Sequence, residues 1–218
     1  MSVAPDDETW LSAAASGRVL VTEASQPQAR GIVILFHGYA GRADDMLADA
    51  RPLAAAGWHL CCPEALHRFY RKGTRNEIGA SWMTKHGREH DLAANHAYRA
   101  RILAHCHQRW GELPVVAVGF SQGAAQAWYA TTHLPLSAII ACGGQIPPEC
   151  RTAAPSTPPP ALILRGERDR FYTAEQRDAD CARLAALNWP AETRDLPGGH
   201  AWRAHTTAAI SDWLAALS

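Results

Sequence analysis

The sequence predicts an α/β fold in which helices cover both faces of a mostly parallel central sheet. Short apolar runs rich in β-branched residues recur along the chain and alternate with longer segments of helix-like periodicity. Strands that are apolar on both faces are typical of a parallel sheet buried between helices. The chain has 218 residues, 47% of them hydrophobic, which suits one folding unit with one core. We therefore predict a single domain over residues 1–218.

Seven segments are predicted as strands. They span residues 19–22, 31–36, 58–62, 114–119, 137–142, 161–165 and 191–196. Two further segments, 64–89 and 146–160, show neither strand nor helix periodicity. Because loops of that length inside a compact domain often form lids or binding walls, we predict lid or pocket loops at both places.

Two helices are predicted in the first half of the chain. One spans residues 44–56 and ends at Gly57, a residue that favours helix termination. The other is long and carries alanines in steps of four, three and four residues, at positions 93, 97, 100 and 104. We expect these small side chains to let the helix lie close to the sheet.

Two more helices are predicted near the C-terminus. Thr173 and Gln176 form a capping-box pattern, in which the threonine opens the helix and the glutamine reaches back to it. The final helix has apolar residues at i, i+3, i+4 and i+7, which predicts a stripe that docks on the sheet. Its members are Ile210, Trp213, Leu214 and Leu217.

The charge balance argues against several classes of partner. Lysine and arginine number 21, aspartate and glutamate also number 21, and the pI is near 7.2, so no field of one sign attracts nucleic acid. The longest apolar runs are strand-sized, far below the ~20 residues that cross a bilayer. The six cysteines show no CxxC spacing. We expect no nucleic-acid partner, no membrane span, no secretion signal and a reduced, cytoplasmic protein.

The strongest chemical signal is the pentapeptide Gly119-Phe120-Ser121-Gln122-Gly123. It follows the apolar run 115–118 directly and precedes the helix-like segment 124–128. This is the pattern of a strand-turn-helix elbow that exposes a nucleophilic serine. The glycines allow the strand and the helix to approach each other closely. We predict Ser121 as the nucleophile.

A serine hydroxyl is a weak nucleophile, so a base and an acid should follow in the chain. His200 comes after the last predicted strand, and its near rival His205 lies inside the terminal helix pattern. Asp169 follows strand 161–165, whereas Asp195 stands within the final strand, five residues before His200. We predict His200 as the base and Asp169 as the acid that orients it.

Two backbone N–H groups are predicted to stabilise the oxyanion of the reaction. One belongs to Gln122, the residue after the nucleophile. The other is assigned to Tyr39, in the glycine-containing loop that follows strand 31–36. An ordinary glycine turn is the alternative interpretation of that loop.

Together these motifs resemble the phospholipase/carboxylesterase branch of the α/β-hydrolases, which includes the acyl-protein thioesterases. The resemblance covers the chain from about Gly31 onward and rests on Phe36-His37-Gly38, Gly119-Phe120-Ser121-Gln122-Gly123, Gly143-Gly144-Gln145-Ile146-Pro147, Gly166-Glu167-Arg168-Asp169 and Gly199-His200. It implies a serine esterase or thioesterase that needs no cofactor. The segment 68–83 is more similar to the bacterial esterase-like members.

Other patterns have weaker chemical interpretations. His86 and His90 fit H-x-x-E-H, a zinc-peptidase pattern, but Gly87 weakens the helix required and no third ligand is evident, so we predict no metal site. The basic cluster of Arg68, Arg71, Lys72 and Arg75 is interpreted either as a solvated loop or as a grip on an acidic substrate group. Trp82, Met83 and Ile146 are predicted to line a substrate pocket.

The function predicted from these residues is hydrolysis of carboxylic esters with small or medium acyl groups, through an acyl-enzyme on Ser121. Acyl thioesters and lysophospholipids are alternative substrates for the same triad. A non-catalytic ligand-binding protein and a peptidase are alternatives of other classes, since a fold alone does not guarantee one chemistry.

Overall fold

The computed structural model describes residues 9–11, 13–71, 77–152 and 154–217 and shows an α/β fold. The strands are β1 (Val19–Thr22), β2 (Gly31–Phe36), β3 (Trp58–Pro63), β4 (His67–Tyr70), β5 (Ile78–Ser81), β6 (Val115–Phe120), β7 (Ala138–Cys142), β8 (Ala161–Gly166) and β9 (Ala191–Leu196). The helices are α1 (Ala43–Ala50), α2 (Pro52–Ala55), α3 (Arg88–Trp110), α4 (Gln122–Ala130), α5 (Ala174–Ala186) and α6 (Ala204–Ala216). A 3-10 turn covers Pro148–Cys150.

Seven strands form the central sheet in the order β1-β3-β2-β6-β7-β8-β9. Only β1 runs antiparallel to its neighbour in this sheet; the other pairs are parallel. The fold class predicted from the sequence is therefore confirmed. Because the parallel strands share one direction, the loops after β2, β6, β8 and β9 all leave the sheet at its carboxyl edge.

Two apolar layers lie on the two faces of the sheet. Ile32 and Ile34 of β2 face a core that includes residues of α3, α4 and α5. Val33 and Leu35 of the same strand face the other core, which is built with α1, α2 and α6. This alternation follows from the two-residue period of a strand, and it explains why β2 is apolar at nearly every position.

Two predicted segments differ from the observed secondary structure. The segment predicted as one helix over 44–56 is divided into α1 and α2, because Pro52 cannot continue a helix as an interior residue and starts the second one instead. Within the segment predicted to be irregular over 64–89, β4 and β5 pair as an antiparallel hairpin, and α3 begins at Arg88. The alternation there was hidden by polar residues on the exposed strand β4.

The alanine face predicted for α3 points to solvent. The helix buries a different face, which carries the larger side chains Asn95, Arg99, Ile102, Leu103 and Cys106. Burying these residues removes more surface from water than burying alanines would, so the larger side chains decide the orientation of the helix. The C-terminal prediction holds for Ile210, Trp213 and Leu214, whereas Leu217 at the end of α6 is exposed.

The predicted capping box is present at the start of α5. Thr173 accepts a hydrogen bond from the backbone of Gln176, and the Gln176 side chain accepts one from the backbone of Thr173. All six cysteines are free thiols. No helix within the described ranges combines the length and the hydropathy needed to cross a bilayer.

Candidate active site

Ser121 lies in a sharp turn between β6 and α4. Its backbone has φ 55° and ψ −117°, a conformation that residues other than glycine rarely adopt. The Ser121 N–H donates a hydrogen bond of 2.8 Å to the carbonyl of Cys142 at the end of β7. The turn thus places Ser121 at the carboxyl edge of the sheet, in the elbow geometry that the pentapeptide predicts.

Two glycines permit this close approach of strand and helix. A Cβ on Gly119 would lie 2.0 Å from the carbonyl oxygen of Gly123. A Cβ on Gly123 would lie 2.0 Å from the carbonyl oxygen of Phe36. Both distances are far inside van der Waals contact, so β2, β6 and the start of α4 can meet here only if neither position carries a side chain.

Ser121, His200 and Asp169 form one hydrogen-bonded chain. Nε2 of His200 lies 2.8 Å from Oγ of Ser121, and Nδ1 of His200 lies 2.8 Å from Oδ2 of Asp169. Ser121 follows β6, Asp169 follows β8, and His200 follows β9. Three residues that are up to 79 positions apart thus meet at one edge of the sheet.

The surroundings of Asp169 determine which nitrogen of the His200 imidazole carries the proton. Oδ1 of Asp169 accepts hydrogen bonds from the backbone N–H groups of Phe171 at 2.8 Å and Tyr172 at 3.0 Å. These bonds fix the carboxylate, which is buried, and leave Oδ2 to accept from His200. Because a carboxylate only accepts hydrogen bonds, Nδ1 of His200 carries the proton and Nε2 is free to accept from the Ser121 hydroxyl.

Aromatic rings enclose His200 on two sides. The ring centroid of Phe120 lies 5.0 Å from that of His200, and the ring centroid of Phe171 lies 4.9 Å from it. Phe171 is itself 77% exposed. Phe171 was not predicted as a site residue, although it lies two residues after Asp169, in the loop that meets His200.

The two rival residues lie outside this hydrogen-bonded chain. Asp195 forms ion pairs with Arg165 at 2.5 Å and with Arg177 at 2.7 Å. His205 is exposed in the first turn of α6 and lines an open groove beside His200. Within the described part of the chain, neither rival forms a hydrogen bond with a member of the Ser121–His200–Asp169 chain.

The loop after β2 brings a second backbone donor towards Ser121. A Cβ on Gly38 would lie 3.3 Å from Cβ of Ser121, so the loop passes directly beside the elbow. The backbone N–H groups of Tyr39 and Gln122 donate no hydrogen bond to any residue in the described ranges. Both groups are therefore available to a bound oxygen atom, as an oxyanion hole requires.

His37 supports this loop from within the protein. Nε2 of His37 accepts a hydrogen bond of 3.1 Å from the Ala65 N–H, so Nδ1 carries the proton and donates to the carbonyl of Gly38 at 2.8 Å. Burial lowers the pKa of His37, which keeps this imidazole neutral. The two ring nitrogens of His37 thus connect the loop after β2 to the chain just beyond β3.

The residues predicted to line a substrate pocket lie behind the site. Trp82 is 0% exposed, Ile146 is 2% exposed and Met83 is 8% exposed. A side chain with no accessible surface cannot touch a substrate in this conformation, so the pocket prediction for Trp82 is not supported. Instead, the exposed aromatic side chains near the site are Phe171 and Tyr39, whose ring stacks on Phe69 of β4 at 5.4 Å.

The H-x-x-E-H pattern does not form a pair of helical ligands. Gly87 has φ 64° and caps α3, so His86 lies before the helix and His90 lies within it. Both rings pack against Trp10, with centroid distances of 5.2 Å and 4.7 Å. No group of three or more metal-ligating side chains is found among the residues that the structure describes.

The basic cluster can be followed only in part, because Lys72 and Arg75 lie outside the described residues. Arg68 forms an ion pair with the buried carboxylate of Glu64 at 3.1 Å. Arg71 lies 3.8 Å from Asp45. Both described arginines are thus paired with acids of the protein itself.

The fold and this site define a hydrolase of the α/β-hydrolase type. The sequence model of the dienelactone hydrolase family matches residues 18–213. The chain therefore belongs to the dienelactone hydrolase family. No match was found among curated proteins.

Solved structures with the same fold include esterases and thioesterases. The crystal structure of esterase PE8 is 26% identical, with a TM-score of 0.74 over 94% of this chain and 99% of that chain. Acyl-protein thioesterase 2 of Zea mays is 17% identical, with a TM-score of 0.71 over 93% of this chain and 99% of that one. The carboxylesterase of Bacillus cereus is 15% identical, with a TM-score of 0.71 over 93% and 95%. The similarity expected from the sequence motifs is confirmed, and the last two structures demonstrate the shared fold alone.

Proposed function

We propose that this protein hydrolyses carboxylic esters through an acyl-enzyme intermediate formed on Ser121. The observation that supports this proposal best is the chain of two 2.8 Å contacts that links Ser121 to His200 and His200 to Asp169. Near this chain lie the backbone N–H groups of Tyr39 and Gln122, which have no protein partner in the described ranges. A nucleophile, a base, an acid and an oxyanion hole are the parts that acyl transfer requires.

In the acylation step, Oγ of Ser121 attacks the carbonyl carbon of the ester while Nε2 of His200 accepts the hydroxyl proton. The carbonyl oxygen becomes an oxyanion that accepts hydrogen bonds from the N–H groups of Tyr39 and Gln122. Asp169 stabilises the imidazolium that forms. His200 then gives its proton to the departing alkoxide, and the alcohol leaves an acyl-enzyme on Ser121.

In the deacylation step, water takes the place of the alcohol. His200 accepts a proton from water as the water oxygen attacks the acyl carbonyl carbon. The same two N–H groups stabilise the second oxyanion, and collapse of the tetrahedral intermediate returns the proton to Ser121. The products are a carboxylic acid and the free enzyme, so no further reactant is consumed.

The surface around Ser121 supports small or medium acyl groups as substrates. Trp82 and Ile146, which could have enclosed a long chain, are fully packed in the core. The exposed rings of Phe171 and Tyr39 instead offer apolar contact beside the triad, and the stacked Phe69 extends the Tyr39 side along the β4–β5 hairpin. We assign this hairpin, within the segment predicted to be a lid or pocket loop, to the wall of the site.

A panel of p-nitrophenyl esters with acyl chains of graded length tests the proposal. Wild type should be active and Ser121→Ala should lose activity while remaining folded. A fluorophosphonate should label Ser121 stoichiometrically and stop the reaction, because the activated Oγ attacks phosphorus, displaces fluoride and gives its proton to His200. Activity retained in Ser121→Ala, or labelling elsewhere with activity intact, would contradict the proposal.

Acyl thioesters and lysophospholipids can be cleaved by the same arrangement of groups. Rates with an oxyester and a thioester of the same acyl group decide whether the enzyme prefers oxyesters or thioesters. Hydrolysis of a lysophospholipid tests whether lysophospholipids are substrates as well. A folded protein that cleaves none of them and resists the fluorophosphonate would instead support the non-catalytic alternative.

A further inference from the structure

All three polar groups of Trp82 form hydrogen bonds, and each of them binds a different part of the site. Its backbone N–H donates to Oε1 of Gln122 at 2.9 Å. Its indole Nε1–H donates to the carbonyl of His37 at 2.8 Å. Its carbonyl accepts from Nδ2 of Asn95 on α3 at 2.5 Å. This one buried residue therefore joins the elbow, the loop after β2 and a long helix.

The Gln122 side chain forms the connection to the elbow. Its Oε1 accepts from Trp82, and its Nε2 donates to the carbonyl of Met83 at 2.8 Å. Ser81 adds its hydroxyl to the same amide at 3.3 Å. A side-chain amide bonded at both ends in this way has a fixed orientation, so it also fixes the backbone of Gln122, the first residue of α4.

The indole forms the connection to the loop that carries Tyr39. The ring of Trp82 packs against Phe36 at 5.4 Å and His37 at 5.2 Å, and its N–H holds the His37 carbonyl two residues before Tyr39. The far side of the loop is held independently, because the Ala40 N–H donates to the carbonyl of Ala80. Loss of the indole N–H would therefore release one side of the loop without detaching it.

We propose that Trp82 is a positioning residue that sets the spacing between the two donors of the oxyanion hole, through the His37 carbonyl on one side and the Gln122 amide on the other. This inference rests on the proposed function of Ser121, Tyr39 and Gln122. Trp82 does not touch substrate. It acts on catalysis because an oxyanion hole stabilises charge only while both donors keep their distance from the oxygen.

The variant Trp82→Phe tests this role, since it removes the indole N–H and keeps an aromatic ring in the core. We expect kcat to fall about tenfold with KM within about twofold of wild type, a smaller loss than the 10²–10³-fold that follows removal of a donor itself. Trp189→Phe is the matched control. Its indole donates to the carbonyl of Pro159 at 2.7 Å and is buried, but it lies outside the site. It should lower thermal stability to a similar degree and leave kcat unchanged.

A second measurement distinguishes a change in the position of the oxyanion donors from a general loss of packing around Trp82. A trifluoromethyl ketone forms a hemiketal when Oγ of Ser121 adds to its carbonyl carbon and the proton passes to His200, which leaves an oxyanion between the donors. Its inhibition constant should rise in Trp82→Phe by the factor by which kcat/KM falls. The inhibition constant of the matching methyl ketone, which stays unreacted, should not change.

Gln122→Met serves as a second variant, because it removes the side-chain amide and keeps the backbone N–H. We expect the same signature in kcat and in the fluoroketone inhibition constant. Wild-type kcat and wild-type fluoroketone inhibition in a folded Trp82→Phe or Gln122→Met protein would overturn the inference. A wild-type enzyme that a fluorophosphonate does not label at Ser121 would instead overturn the proposed function itself, so the two failures are distinguishable.

Discussion

The ring of Phe171 lies against the ring of His200, with 4.9 Å between the centroids, although 77% of Phe171 is exposed to solvent. The backbone N–H of the same residue donates to Asp169 at 2.8 Å. Phe171 thus holds Asp169 through its backbone and offers an apolar surface beside His200 through its side chain. If His200 acts as the proposed base, this exposed ring lies where the acyl group of a substrate would approach it.

We therefore expect Phe171→Ala to affect binding more than catalysis. The backbone hydrogen bond to Asp169 remains, so kcat should change little. KM for the longer acyl esters should rise about fivefold because a phenyl contact is lost, and KM for an acetyl ester should stay close to wild type. Leu217→Ala, an exposed apolar residue at the end of α6, is the control and should change neither value. Equal effects on acetyl and longer esters would show that the ring does not bind the acyl chain.

The acid of the triad can be identified by a pair of isosteric changes. Asp169→Asn should lower kcat by about 10⁴, the loss that follows when the tautomer of the base is no longer fixed. Asp195→Asn should change kcat less than about tenfold, since Asp195 pairs with Arg165 and Arg177 instead. It should lower the free energy of unfolding by about 1–2 kcal/mol, because Arg165 is buried and loses its carboxylate. Circular dichroism, urea unfolding and steady-state kinetics on both proteins decide the assignment. A folded, nearly inactive Asp195→Asn enzyme would move the acid to Asp195.

Gly119, at the elbow that carries Ser121, should tolerate no side chain. Gly119→Ala places a Cβ 2.0 Å from the carbonyl of Gly123 and should cost about 4 kcal/mol or more of stability, with loss of activity. Gly111→Ala is the comparison, because Gly111 has φ 81° but a Cβ there would meet no atom within 4 Å. That change should cost only the backbone strain of about 1–2 kcal/mol and keep kcat. Urea unfolding of both variants measures the difference, and an equally stable pair would refute the steric explanation.

Stability should decrease in mild acid because of a partly buried histidine. Burial, together with the nearby Arg99 and His96, lowers the pKa of His133 to about 4. The unfolded chain has an ordinary imidazole with a pKa of ~6.5, so it binds the proton first and the free energy of unfolding falls between about pH 6.5 and pH 4.

His133→Asn should reduce this fall. The variant should retain part of it, since burial lowers the pKa of His37 as well. Urea unfolding of both proteins at about pH 7 and about pH 4.5 measures the difference. An identical change in the free energy of unfolding in both proteins would show that His133 does not contribute.

Much of the fold and the three residues of the hydrogen-bonded chain were predictable because their signals are local. Parallel strands buried on both faces are apolar at almost every position, as in β2, and this pattern needs no knowledge of neighbours. Ser121 and Asp169 each come just after such a strand, and His200 follows the exposed edge strand β9. The rule that strand ends share an edge was then enough to predict that they meet.

The features that were not predicted depend on competition between contacts. The alanines of α3 form a regular face, but Ile102, Leu103 and Cys106 remove more apolar surface from water and take the buried side. Trp82 follows a strand like a pocket residue would, yet its burial follows from three hydrogen bonds to residues distant in the sequence. Neither outcome can be obtained from spacing alone.

The position of the Ser121–His200–Asp169 chain in the sheet sets how much change in length each loop tolerates. Ser121 and His200 leave strands β6 and β9, which are separated by β7 and β8, so about 14 Å must be bridged at a strand spacing of ~4.8 Å. Only three residues lie between the end of β9 and His200, and a Cβ on Gly166 would already lie 2.3 Å from the carbonyl of Gly199. This connection is short and closely packed, so one residue inserted or deleted there displaces His200. An insertion beside Gly111, on an open surface turn, leaves the register of the triad unchanged.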